Sequence, residues 1–115
     1  MNWYIAKVVF TISAQNTEHK PQFDEQLRLI EAACLEEAFL KARMIGLAEE
    51  DSFINTNNNV VNWEFVNVTD ITPLERLEDG IELTSRLYEM EEAHEHIHYV
   101  HQKAITLRLN SRPLF

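Results

Sequence analysis

Four of the five histidines lie close together near the C-terminus, at His94, His96, His98 and His101. Histidine is the commonest metal ligand, and its side chain exchanges a proton near neutral pH. On a helix, His94 and His98 have the i, i+4 spacing that lets two imidazoles bind one Zn²⁺, Ni²⁺ or Cu²⁺ ion, with Glu91 one turn earlier as an oxygen ligand. The candidate metal ligands are therefore Glu91, His94, His98 and His101.

Other interpretations of these histidines stay open. His94, His98 and His101 share one flank of the helix, which could be a plain solvated surface or a contact surface sensitive to pH. The solvated flank is the default, because the sequence has no cysteine pair, no His-Glu-x-x-His string and no other ligand set. We therefore expect no physiological cofactor, with a divalent transition metal as the alternative.

Carboxylates are the next groups that could do chemistry, as pairs of acid and base. The candidates on predicted strands are Asp24, Glu25 and Glu31 on the second strand, and Glu64 with Glu82 across the third and fourth. Such groups occur on almost any acidic sheet, so we expect them to be solvated surface. Lys7 interrupts an apolar strand, and we expect its ammonium to reach the sheet edge or to pair with Glu25 or Glu31.

The sequence contains no motif for nucleotide binding or for nucleophilic catalysis. The chain has only two glycines, which leaves no phosphate-binding loop and excludes kinases, NTPases and dinucleotide-binding proteins. Its one cysteine, Cys34, precedes a predicted helix, where the helix dipole would stabilise a thiolate. Nucleophilic catalysis also needs a positioned base and an oxyanion site, and no motif supplies them. We expect a small buried thiol, and the residues favour a non-enzymatic protein.

The charge balance indicates which partners the protein could bind. Ten basic and nineteen acidic residues give a formal charge of −9, which repels phosphate backbones and argues against nucleic acid as a partner. A protein partner of basic charge fits better. With 45% apolar and 25% charged residues, the chain is typical of globular proteins, and its length suits a single domain, residues 1–115.

Several features predict a cytoplasmic protein. A lone cysteine cannot form an internal disulfide, which favours a reducing compartment. The apolar start from Met1 to Phe10 contains Lys7 and lacks a basic leading region, so it is not typical of a signal peptide. No window approaches the ~18 apolar residues of a membrane span, so we expect no membrane contact.

The elements that must position these groups begin with two strands. Trp3–Ser13 is rich in aromatic and β-branched residues, and both of its faces are largely apolar, which predicts a strand interior to its sheet. A polar stretch from Gln15 to Pro21 separates it from a second strand, Phe23–Glu31. This short connection suits an antiparallel hairpin.

A helix and two further strands follow. Apolar residues recur at helical spacing from Leu35 to Glu50, with Gly46 interrupting or ending the helix. The tract Asn55–Asn59 predicts a turn. Alternation at period two then predicts a third strand over Val60–Thr69 and a fourth over Ile81–Tyr88, which could pair with it.

The last predicted element is a His-rich helix over residues 90–109, followed by a frayed tail over residues 110–115. Its apolar residues form a heptad-like seam: Met90, Ala93, Ile97, Val100, Ala104 and Leu107. The seam could face a partner chain in a homodimer, or it could cover the protein's own sheet. We favour the sheet, because a four-stranded sheet needs more than one covering helix.

The order β-β-α-β-β-α predicts an α+β fold, with an antiparallel sheet of about four strands and helices on one face. The other face is then uncovered. If Trp3 and Trp63 lie there with Ile5 and Phe65, they form an apolar patch large enough to indicate a partner or self-association.

Ordered segments of the chain resemble a known family. They include the Trp-Tyr-Ile-Ala-Lys start at Trp3, the Phe-Asp-Glu-Gln-Leu string at Phe23, Glu36–Ala38, Lys41–Ala42 with Ile45–Gly46, Trp63–Val68 and Asp79–Gly80. Together these segments, from about Asn2 to Leu87, are similar to a family of small bacterial proteins catalogued as a domain of unknown function. The resemblance implies no activity, ligand or catalytic residue, and the histidine-rich helix lies outside the matched segments.

These features predict a non-enzymatic, acidic protein-interaction module of the bacterial cytoplasm, which self-associates through an apolar sheet face or through its C-terminal helix. A basic protein is the other predicted partner. The alternative is a small enzyme or a metal-dependent binder that uses His94, His98 and Glu91.

Overall fold

The computed structural model describes residues 1–15 and 20–110. Its elements are β1 (Asn2–Ala14), β2 (Gln22–Ala32), α1 (Leu35–Ala48), β3 (Asp51–Ile54), β4 (Val60–Leu74) and α2 (Ala93–Asn110). The α+β class and the order β-β-α-β-β-α predicted from the sequence are confirmed. Asn110, predicted to begin the tail, is the last residue of α2. The rest of the predicted tail and residues 16–19 of the first connection lie outside the described residues.

By its internal contacts the chain divides into two compact units, Met1–Thr84 and Ser85–Phe115. The first unit holds the sheet and α1, and the second holds α2. Every buried apolar side chain in the described residues lies between Tyr4 and Leu74, so the hydrophobic core belongs to the first unit. Whether both units unfold together, as a single domain over residues 1–115 would, is a question of cooperativity, and the single domain stays a prediction.

The sheet is antiparallel and has the strand order β2-β1-β4-β3. β1 pairs with β2 on one side and with β4 on the other, so the strand that is apolar on both faces is interior, as predicted. The β1–β2 hairpin is also confirmed, with Tyr4 opposite Ile30 and Phe10 opposite Asp24.

α1 packs on one face of this sheet, and the core lies between them. The core residues are Tyr4, Ala6, Val8, Phe10, Ile30, Ala32, Ala38, Ala42 and Val68. The β1 members are alternate residues, because successive strand side chains point to opposite faces. On α1, Ala38 and Ala42 are fully buried one turn apart, and their small side chains allow the helix to lie close to the sheet. The helix runs through Gly46 rather than breaking there.

One of the four predicted strands is not where the sequence predicted it, and another strand takes its place. The predicted third strand is β4, but the predicted fourth strand, Ile81–Tyr88, is irregular. Its place in the sheet is taken by β3, which pairs with the start of β4. Alternation alone cannot separate a strand from an irregular segment, because a strand also needs a neighbouring edge to pair with.

The asparagine turn decides this outcome. The Asn55 side-chain oxygen accepts hydrogen bonds from the backbone N–H groups of Asn57 (2.9 Å) and Asn59 (3.0 Å). Asn58 has a φ of +62°, a left-handed conformation that asparagine tolerates better than most residues. The tract therefore closes a tight hairpin, which brings β3 alongside β4.

Candidate functional site

Three of the four predicted metal ligands lie on α2, and the fourth lies outside it. His94, His98 and His101 are exposed residues of the helix. The helix begins at Ala93, so Glu91 is not on the preceding turn of the same helix as the sequence predicted. Within residues 1–15 and 20–110, no group of three or more His, Cys, Asp or Glu side chains is arranged to hold a metal ion. The His94–His98 pair keeps its i, i+4 spacing.

His96 is the histidine with aromatic neighbours. Its Nε2 atom lies 3.0 Å from the hydroxyl oxygen of Tyr88, and the two rings meet edge to face with their centroids 5.5 Å apart. Tyr99 stacks on the imidazole at 6.1 Å. Arg86 and Lys103 lie over the rings of Tyr88 and Tyr99. These contacts connect the irregular segment before α2 to the first turns of the helix.

A shallow depression of about 500 Å³ adjoins this aromatic group. It is lined by Glu89, Met90, Glu91, Glu92, Glu95 and His96. Apart from His96, which is partly covered, these lining residues are exposed, so water has free access to the depression. Exposed carboxylates in water attract cations only weakly, so the depression by itself indicates no ligand.

The apolar seam of α2 is exposed. None of the helix residues is buried, and Ile97 and Val100 at the centre of the seam are 53% and 49% exposed. Ile105 and Leu109, outside the seam, are also exposed. The predicted packing of the seam against the protein's own sheet stays a prediction. An exposed apolar helix surface of this kind marks a contact with another protein in many cases.

A second exposed apolar region lies on the sheet face opposite α1. Its most exposed side chains, all from β2, are Phe23, Leu27 and Leu29.

Lys7 lies beside Leu27, and its Nζ atom is 4.0 Å from a Glu25 oxygen and 3.8 Å from an Asp70 oxygen. The predicted pairing of Lys7 with Glu25 is confirmed, and Asp70 is an additional partner.

The predicted tryptophan patch does not form on this face. Trp63 and Phe65 lie on the α1 side, where their rings are 5.9 Å and 6.1 Å from the ring of Phe10. Of the four residues, only Trp3 and Ile5 lie on the face opposite α1, and Ile5 is buried there. The period-two spacing of Trp63 and Phe65 correctly predicts that they share one face of their strand. Which face of the sheet this is depends on how the strand pairs with its neighbours.

A row of polar side chains follows β2 on its α1 side. Gln26 donates to Asp24 (2.6 Å) and accepts two hydrogen bonds from Arg28 (3.0 and 2.7 Å). Arg28 also lies 3.5 Å from a carboxylate oxygen of Glu49 at the end of α1. Gln26 and Arg28 were not among the candidate residues predicted from the sequence. The signal that could have found them is the period-two spacing of Asp24, Gln26 and Arg28.

The candidate acid–base pairs, which were expected to be solvated surface, are not assembled. Asp24 lies on the α1 side of β2, whereas Glu25 and Glu31 lie on the opposite side. Glu82 belongs to the irregular segment, so it does not sit across a strand pair from Glu64. The sheet therefore separates Asp24 from Glu25 and Glu31, and Glu64 has no partner carboxylate on a paired strand at Glu82.

The prediction of a buried Cys34 was also wrong. Cys34 is the N-cap residue of α1 and is exposed, with no side-chain capping hydrogen bond. Its backbone is extended, with φ −154° and ψ 171°, which is usual for an N-cap position. The connection between β2 and α1 leaves the Cys34 side chain exposed. The apolar character of cysteine predicted burial, but it carries no information about the direction of the chain at this position.

Comparison with known proteins bears on the first unit. Among residues 1–15 and 20–110, no helix is both long enough and apolar enough to cross a membrane. No curated protein and no solved structure matches the chain. A family model, described as domain of unknown function DUF4288, matches residues 3–85, which nearly coincide with the unit that contains the sheet and α1. The match covers well over half of the chain, and the protein therefore belongs to the DUF4288 family.

Proposed function

We propose that the protein is a non-enzymatic, acidic protein-interaction module of the bacterial cytoplasm, and that α2 is the element that packs against a protein partner. The observation that carries the proposal is the exposure of α2, an 18-residue helix without a buried residue. Most helices in proteins gain their stability from packing an apolar face rather than from helix propensity alone. A partner that covers the Ile97–Val100 seam would supply that packing.

The distribution of charge supports a protein partner rather than a nucleic acid. Six basic and fifteen acidic residues fall in residues 1–84, so this unit carries the whole formal charge of −9. Residues 85–115 hold four of each. A partner with a basic surface would be attracted by this acidic charge. The formal charge also keeps phosphate backbones away.

A binding experiment with matched variants tests the proposal. The full chain, tagged and immobilised, is exposed to a lysate of the cells that produce it. We expect a stoichiometric protein partner on the wild-type chain and its loss from the double variant Ile97→Asp with Val100→Asp, because two charges would enter the apolar contact. The control is Gln102→Asp with Thr106→Asp, which adds the same charge on the opposite side of α2.

The results separate this function from the others. Loss of the partner from both double variants would mean that charge or helix stability, not the seam, governs binding, and it would contradict the proposal. Circular dichroism on each variant verifies that α2 still forms. No stoichiometric partner on the wild-type chain would also contradict it.

The alternative function is a small enzyme or a metal-dependent binder that uses the histidine flank. It is favoured by one observation, the exposure of His94 and His98 at i, i+4 spacing on a formed helix. Metal analysis of the same purified chain separates the two proposals. Stoichiometric metal that disappears with His94→Ala would favour the metal binder, with Glu91 and His101 as the next ligands to replace.

A further inference from the structure

β2 is a long strand at the edge of the sheet. In the described residues its only neighbouring strand is β1, and it spans eleven residues, Gln22–Ala32. The opposite edge strand, β3, has only four residues. Proteins usually protect a long edge from pairing with charged side chains, lysine above all, or with proline, a bulge or an extra covering element. β2 contains no proline, lysine or glycine, and its pairing with β1 is regular throughout.

One hydrogen bond shows which backbone groups of β2 point outward. Lys41 of α1 donates from Nζ to the carbonyl oxygen of Glu31 at 2.9 Å, so this carbonyl points away from β1. Backbone groups alternate in direction along a strand, so the N–H and C=O groups of Leu29, Leu27 and the preceding alternate residues also point to the free edge. Lys41 occupies the end of this edge at Glu31, and the stretch from Gln22 to Ile30 lies beyond it.

Several side chains of this stretch would meet complementary partners if β2 paired antiparallel with β2 of a second copy. With a two-fold axis at Gln26, Asp24 of one copy lies opposite Arg28 of the second copy, and the same pair forms again on the other side of the axis. On the other face of the strand, Phe23 lies opposite Leu29 of the second copy. Opposite charges and apolar pairs directly across two antiparallel strands stabilise the pairing.

Neighbouring registers lack this complementarity. An axis at Leu27 places Asp24 opposite Ile30 of the second copy, so both Asp24–Arg28 pairs are lost. An axis at Arg28 places Arg28 opposite its own copy and Glu25 opposite Glu31, which brings like charges together. The axis at Gln26 is therefore the one that the charges favour.

The row on the α1 side is already ordered for such a contact. Asp24 and Arg28 are both held by Gln26, and Arg28 is also held near Glu49. Less side-chain freedom is lost when groups of this kind meet a partner, because they are fixed beforehand. On the opposite face, Phe23 and Leu29 are 68% and 49% exposed, and each would gain the other as an apolar neighbour across the strands.

We propose that two copies of the chain join edge to edge through β2, antiparallel, about a two-fold axis at Gln26. The two four-stranded sheets then form one continuous eight-stranded sheet, and the outward backbone groups of Gln22–Ile30 hydrogen-bond between the copies. This contact lies in the first unit and is separate from the partner site proposed on α2, so either can fail without the other.

Two substitutions at one position test the register. In this dimer Leu27 lies opposite Glu25 of the second copy. Leu27→Glu places like charges across the interface and weakens dimerisation by at least about tenfold, whereas Leu27→Lys places opposite charges there and keeps the dimer. Within one chain Leu27 lies opposite Lys7. Leu27→Glu therefore adds an attractive pair to the folded monomer, and Leu27→Lys adds a repulsive one, which is the reverse of their effects on the dimer. A change in fold stability therefore cannot imitate the expected result.

A second pair of variants tests the polar row. Asp24→Arg faces Arg28 of the second copy and dissociates the dimer, whereas Glu36→Arg makes the same change of charge at an exposed position of α1 and leaves it intact. Light scattering on the full chains, at micromolar concentrations, measures the mass against the 13.5 kDa of one chain. We expect twice that mass for wild type, Leu27→Lys and Glu36→Arg, and the single-chain mass for Leu27→Glu and Asp24→Arg.

Every other outcome contradicts the proposal. A monomeric wild-type chain overturns it, and so does a dimer that survives both Leu27→Glu and Asp24→Arg. A dimer that dissociates only on Ile97→Asp with Val100→Asp would place the contact on α2 instead. Hydrogen exchange provides a readout that does not depend on variants, because the amide protons of Leu27 and Leu29 become protected as the concentration of wild-type chain is raised.

Discussion

Gly46 of α1 lies so close to the ring of Phe65 on β4 that a Cβ atom on the glycine would overlap the ring. The helix continues past Gly46 to Ala48, so the glycine provides space for the ring rather than a helix end. The Phe65 ring meets Phe10 edge to face. The absence of one methyl group therefore sets how closely α1 approaches the aromatic part of the core.

Gly46→Ala is expected to destabilise the protein, although alanine favours the helix by about 1 kcal/mol. Forcing a methyl group against a packed ring costs about 1–3 kcal/mol, so we expect a net loss near 1 kcal/mol in the free energy of unfolding. Denaturant unfolding measures it. The matched control is the same glycine substitution in a Phe65→Leu background, where the overlap is removed and Gly46→Ala should cost less than it does in the wild-type chain. A more stable single variant would contradict the packing argument.

Lys7→Met is expected to change stability by less than about 1 kcal/mol. Lys7 is a third exposed, and its ion pairs with Glu25 and Asp70 are long, at 4.0 and 3.8 Å. Such pairs contribute little at a surface that water and salt can reach. Methionine would keep the contact with Leu27. Unfolding of both proteins at low and high salt provides the measurement. A loss well above that limit would show that the lysine bridges the strands more strongly than its geometry indicates.

A chain that stops after Thr84 is expected to fold. Its core, from Tyr4 to Leu74, is complete without the residues that follow, and the family match also ends near this point, at residue 85. We expect a melting temperature within about 5 °C of the full chain, which corresponds to about 1 kcal/mol for a domain of this size. Calorimetry measures it. If the shortened chain is unfolded, residues 1–115 form the single cooperative domain that the sequence predicted.

The histidine flank is expected to tolerate acid. His94, His98 and His101 are exposed on α2, and protonating neighbours one turn apart costs only about 0.2–0.5 kcal/mol per pair. Melting temperature should therefore change by less than about 5 °C between about pH 7.5 and 5.5. A larger fall would mean that these residues are coupled to an interface.

Metal affinity of the same flank is expected to be weak. A pair of imidazoles without further fixed ligands leaves most of the coordination shell to water, and no third ligand group is assembled among the described residues. Titration with Ni²⁺ or Zn²⁺ should give an affinity weaker than micromolar. His96→Ala is the matched control for His94→Ala, because His96 bonds to Tyr88. Tight binding that only His94→Ala abolishes would favour the metal-binding function.

Local patterns of sequence were sufficient for much of this fold. β1, β2 and α1 are where period-two and helical spacing predicted them, because each pattern records which side of one element meets the core. The turn at Asn55–Asn59 was also predicted, from the backbone conformations that asparagine tolerates. The pairing of Lys7 with Glu25 followed from the cost of burying an unpaired charge.

Only the tertiary structure decided the rest, because it depends on which segments meet. The sequence could not show that β3, rather than Ile81–Tyr88, would complete the sheet, since strand pairing joins residues through a turn and an available edge. Nor could it show that Trp63 lies on the α1 side, that the seam of α2 is exposed, or that Cys34 faces outward. Each of these outcomes depends on contacts between separate elements, and such contacts leave no periodic signal within a single segment.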